Sequence, residues 1–153
     1  MNLNASNEMF HNRTRLINVA LNATSLGYGF INAVKEHENS ELVQRIHMMA
    51  RHADLDFAGI VGKNGSTLCR LGPDPIPEKQ NRLSNPITEY TMKTGNPVSG
   101  AVILPKDFLL NENPDLAARA EIPIVQPNSP DEKSSPLISE GIALAAAVPL
   151  LDK

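Results

Sequence analysis

Between Thr14 and Val34 the apolar residues Leu16, Val19, Ala20, Ala23, Leu26, Phe30 and Ile31 return at steps of three and four. That is the period of a helix with one face to bury, and it predicts one long leading helix. Gly27 and Gly29 interrupt it, and mark either a bend or a close approach of a second helix. A second helix is predicted from Asn39 or Ser40, which offer capping oxygens, with Glu41 in its first turn. Its apolar face is Leu42, Val43, Ile46, Met49, Ala50 and Ala53, and Arg51 and His52 suit its negative end.

Beyond Ala53 the period changes. "DFAGIVG" and "STLCRL" are short apolar and β-branched runs around "KNGS", so they predict an antiparallel hairpin with Asn64-Gly65 in a type I′ turn. "GPDPIPEKQNRLS" holds three prolines and reads as a surface loop. Asn85-Pro86 opens a helix that Gly95 ends, and Asn113-Pro114 opens a shorter one. "PVSGAVILP" predicts a strand, "KDFLLN" a helical turn, and "EIPIVQP" an edge strand because Pro123 removes a donor. "NSPDEKSSP" reads as a polar loop. "GIALAAAVPLL" is apolar on both faces and predicts a central strand covered on both sides. The fold class is therefore α+β: a central antiparallel sheet with a long N-terminal helix and a second helix packed on it.

Composition narrows the function. The chain of 153 residues carries 14 basic and 17 acidic side chains, a formal charge of -3, with no basic stripe to neutralise phosphates. Nucleic acid is excluded as an expected partner. The single cysteine, Cys69, allows no intrachain disulfide and no CxxC or CxxCH motif. His47 and His52 stand about 140° apart around their helix and share no metal-binding face, while His37 and Glu41 supply only two ligands. No GxSxG, HExxH or Walker loop is present, and "GYGFIN" lacks the third glycine of a dinucleotide loop. Neither an enzyme, a resident metal nor a cofactor is expected.

The order of elements resembles the Cache-type, PAS-like sensor domains of bacterial chemoreceptors and sensor histidine kinases. The resemblance rests on the long leading helix, on "GIVGKNGSTLCR" in the place of a V-D-x-x-G-x-V-x-x-R strand pair, on "GNPVSGAVILP", and on "EGIALAAAVPLLDK". It implies one domain over 1–153, with a helical part at about 9–54 and a sheet part at about 55–153 that lacks a final strand. It further implies an extracytoplasmic, periplasmic location as part of an inner-membrane receptor, joined to the membrane only through flanking segments. The exposed edge at Ala143 to Val148 is then expected to be filled by a second copy of the chain.

Two functions from different classes follow. The first is a small-molecule sensing domain of a transmembrane receptor, binding a small polar or anionic metabolite. Its candidate ligand-binding residues are Arg70, Tyr90, Ser99 and Arg119. The second is a ligand-free, dimerising module in which the striped first helix meets its copy, and a homodimer is expected on either reading. Taken singly, Arg70 and Arg119 are expected at the surface, and Tyr90 in the core with its hydroxyl at the edge.

Overall fold

A computed structural model describes residues 3–36, 38–72, 85–123, 137–138 and 140–150. The leading helical pattern forms two helices: α1 (Leu3–Ser25) and α2 (Tyr28–Lys35). The break is at Gly27, which is extended (φ −68°, ψ 121°) and caps α2 through its carbonyl, the acceptor for Phe30 and Ile31. Gly29 meets the other expectation. A Cβ there would stand 2.6 Å from Arg45 Nη2, so the glycine admits the arginine of the neighbouring helix.

The buried face of α1 is not the one its strongest stripe suggests. Ile17 is buried and Ala20, Leu21 and Thr24 are half-buried, whereas Leu16, Val19 and Leu26 face solvent. The helix has two apolar faces, and the face taken inward is the one beside Asn18, whose amide donates to Ser99 Oγ (2.9 Å).

Helix α3 (Asn39–Ala53) buries Leu42, Ile46, Met49, Ala50 and Ala53 as its period requires. Asn39 and Ser40 lie inside its first turn and do not cap it. Glu38 holds that position without a side-chain cap bond; its carbonyl accepts from Leu42 and its amide donates to Ala33. The helix ends at Asp54, which is left-handed at φ 52°.

Strands β1 (Gly59–Val61) and β2 (Thr67–Arg70) pair antiparallel, with Ile60 opposite Cys69. The turn differs from type I′. Among the described residues only Asp54, Gly65 and Gly95 have positive φ, so Asn64 stays right-handed and Gly65 alone is left-handed at φ 80°. Gly65 N–H reaches Gly62 O, Gly62 N–H reaches Ser66 O, and the register shifts after Ile60, which is a type I turn closed by a bulge. Asn64 contributes its side chain instead, with Oδ1 accepting from Ser66 N (3.0 Å) and Ser66 Oγ (2.6 Å).

The second half follows the expected punctuation. In α4 (Pro86–Thr94) Asn85 Oδ1 accepts from Ile87 N and Thr88 N at 3.0 and 2.9 Å, and Gly95 closes the helix at φ 69°. Strand β3 (Val98–Leu104) leads into α5 (Lys106–Glu112) and α6 (Pro114–Ala120), the latter capped by Asn113. The short β4 (Ile122–Pro123) pairs with β5 (Leu137–Ile138), and β6 (Gly141–Ala147) pairs with β3 along its whole length. The polar loops expected around 72–84 and 128–136 fall almost wholly outside the described residues.

The protein is α+β, but the described strands form three two-stranded antiparallel ladders in place of one central sheet. Among the described residues β6 has β3 as its only strand partner, and Ile142 and Ile103, opposite each other on the outer face, are exposed. Its apolarity comes mainly from alanines, which have little surface to hide, so the run of apolar letters overstates the need for cover on both sides. The inner face, from Val98, Val102, Leu104, Ala143, Ala145 and Ala147, meets Ile87 of α4, Phe108 and Leu109 of α5, and Leu116 and Ala117 of α6. A second cluster joins Phe30 and Ala33 of α2 to Leu42 and Ile46 of α3 and to Ile60 and Cys69 of the hairpin. Helix α1 lies against β6 and α3.

The Asn85 cap gives a direct test. Asn85 is buried and its side chain satisfies two amides, so Asn85→Ala should cost about 1–2 kcal/mol. For a domain of this size thermal denaturation should then fall by roughly 2–8 °C.

Candidate functional site

Strand β2 ends in Arg70, and the chain then turns through Leu71 and Gly72. Leu71 N–H donates to Ala58 O, which extends the hairpin by one bond and holds this exit in place. Arg70 is 6% exposed, against the expectation for an arginine at a strand end. The alternation of the strand is lost here, since both Cys69 and Arg70 are buried: one enters the cluster of α2 and α3, the other turns toward α5.

Gly72 shows what the arginine meets. A Cβ on Gly72 would stand 2.8 Å from Glu112 O, 3.3 Å from Asn111 O and 3.3 Å from Arg70 Nε. The guanidinium and the last turn of α5 therefore converge on one point, and only a residue without a side chain lets the backbone between them through. A cation beside the carbonyl end of a helix is favourably placed.

Glu112, the last residue of α5, is 5% exposed. Burial raises its carboxyl above the ordinary value of 4.5, and the Arg70 charge offsets part of that rise. Arg70 and Glu112 thus form a buried, oppositely charged pair of positions between the hairpin and α5.

The other three candidate residues lie elsewhere. Ser99 is on β3, where its hydroxyl accepts from Asn18 of α1, a contact that seats the helix on the ladder. Arg119, on α6, is exposed and pairs with Asp56 Oδ1 at 2.6 Å. That carboxylate holds the guanidinium above its ordinary value. Tyr90 points away from the core on α4, 53% exposed. Arg70 is the candidate that turns inward, and the four do not converge. Glu112 was missed by sequence reasoning, since an acid ending "KDFLLNE" reads as a solvated helix end. The only available signal was the flanking Phe108, Leu109 and Leu116, which give that stretch a deeply buried side.

Among the described residues no three His, Cys, Asp or Glu side chains gather into a metal-binding group, and no helix is long and apolar enough to cross a membrane. Comparison of the chain with protein-family models, curated proteins and solved structures gives no match.

The raised Glu112 value fixes a pH dependence. Because the folded carboxyl holds its proton more tightly than the unfolded one, this contribution to stability is full at low pH. It is lost as the pH rises from about 4.5 through the folded value. Glu112→Gln should remove that loss: denaturation of the variant should change less between pH 4 and pH 7 than that of the wild type. An equal slope for the two proteins would show that Glu112 is not the responsible group.

Proposed function

We propose that the chain is a small-molecule sensing domain, of the extracytoplasmic, PAS-like kind found in membrane-anchored signalling receptors, and that it binds a small anionic metabolite through Arg70. The observation that carries the reading is the inward turn of Arg70 toward a buried acid. A guanidinium binds a carboxylate or phosphate through paired, charge-assisted hydrogen bonds, and does so most strongly where water is excluded. Glu112 lies beside this position, so an anion arriving at Arg70 would also alter the charge around that buried carboxyl. The hairpin and α5, which carry the two residues, belong to different hydrophobic clusters. Ligand binding at this seam therefore changes how the clusters are held together, which is what a sensing domain must do.

The receptor setting rests on the order of elements, a long leading helix, a hairpin and a final paired strand. A second reading, a module that dimerises without a ligand, is favoured by the exposed apolar face of α1.

A thermal-shift screen of mono- and dicarboxylates, inorganic phosphate and neutral analogues on the intact chain tests the ligand reading. The best anion should stabilise the wild type in a dose-dependent way. Arg70→Lys, which keeps the charge but loses the two-pronged geometry, should bind that anion at least about ten-fold more weakly. Equal affinity in the two proteins, or a panel in which no anion stabilises the wild type, would overturn the assignment.

A further inference from the structure

Helix α1 presents a second, ordered apolar face that no described part of the chain covers. Ala5, Met9, Asn12, Leu16, Val19 and Ala23 are all exposed, with Leu16 at 57% and Val19 at 58%. Their spacing alternates strictly between four and three residues. Leu26, just past the helix end and also exposed, continues it. This is the a/d pattern of a coiled coil carried over three heptads, and it lies to one side of the inner face formed by Ile17, Ala20, Leu21 and Thr24. Scattered exposed apolar residues need no explanation, but a row at this period, apolar at every position except Asn12, does.

We propose that this row pairs with α1 of a second copy of the chain, the two helices running parallel about a two-fold axis. The flanking charges choose both occupant and direction. In the parallel arrangement the residue before one a position faces the residue five places later on the other helix, which sets Glu8 against Arg13 of the second copy. The antiparallel arrangement that interleaves the same apolar layers brings the two copies of Arg15 together near its centre, and like charges disfavour it. Asn12 would face its own copy across the axis, where an amide pair fixes the register.

Arg13 gives this surface a connection to the rest of the fold. It already reaches Asp54, at the end of α3, through both the backbone carbonyl and a carboxylate oxygen. The proposed Glu8 contact would put one guanidinium between its own α3 and the second copy, so that the pairing of the helices and the seating of α3 share a side chain. The inference stands apart from the ligand reading and does not need Arg70.

Two measurements decide it. Sedimentation equilibrium of the intact wild type should show a reversible dimer, which Leu16→Lys weakens at least about ten-fold and Glu8→Arg weakens several-fold. Both sites are exposed, so helix content and melting temperature should stay near those of the monomer; a loss of helix in the variants would itself contradict the placement of these residues. For direction, Leu16→Cys should form an intermolecular disulfide under mild oxidation, because identical a positions meet in a parallel pair. Asn7→Cys, exposed on the opposite side of α1, should not. A wild type that stays monomeric at about 100 µM, or equal cross-linking of the two cysteine variants, would overturn the proposal.

Discussion

The β3–β6 ladder is the constraint on which the remaining elements depend. Seven residues of each strand pair without a register shift, from Val98 with Ala147 to Leu104 with Gly141. That continuity gives the ladder two well-defined faces. Val102, Leu104 and Ala145 fall on the face that receives α4, α5 and α6, and Ser99 falls on the other, where it takes the Asn18 amide of α1. A slip of one residue in either strand would turn Leu104, the most deeply buried of these side chains, toward α1 and solvent.

The hairpin cluster is joined to this arrangement by the short connection after α3. Within it Asp54 takes Arg13 from α1, Asp56 takes Arg119 from α6, and Phe57 meets the edge of Phe108 from α5 with ring centroids 5.8 Å apart. The two ion pairs are largely exposed and so contribute little to stability, while the aromatic contact is partly buried and more substantial. Arg70 and Glu112 form the second junction between the same two bodies, and unlike the ion pairs they are shielded from water. A change in charge there is felt through a low dielectric, whereas a change at Asp56 is screened.

What was legible in the sequence was local chemistry. Asn85-Pro86 with Gly95, and Asn113-Pro114, set helix ends because capping depends on residues within a turn of one another. The hairpin was legible, but its turn type was not: Asn64 bonds Ser66 while right-handed, and Gly65 alone takes the left-handed conformation. The face of α1 could not be chosen, because periodicity reports every apolar stripe and only a partner selects among them. Ser99 was visible as a polar group on a strand, yet its role as an acceptor for Asn18 depends on a contact 81 residues away in the chain. For Arg70 the residue type pointed to water, and its burial follows from Gly72 and the end of α5, neither of which is a local signal.

The seating of α1 on β3 and β6 also bears on the order in which the chain assembles. The contacts of α2, α3 and the hairpin are between near neighbours in sequence, so closing them loses little chain entropy. Helix α1 meets α3 as well, but its acceptor Ser99 and its contacts with β6 come from the far part of the described chain. During synthesis the part of α1 that meets β3 and β6, together with its outer apolar row, therefore stays open to water until those strands have paired. A helix that waits in this way is the natural point of attachment for chaperones, and it is also where two nascent chains on neighbouring ribosomes would first meet.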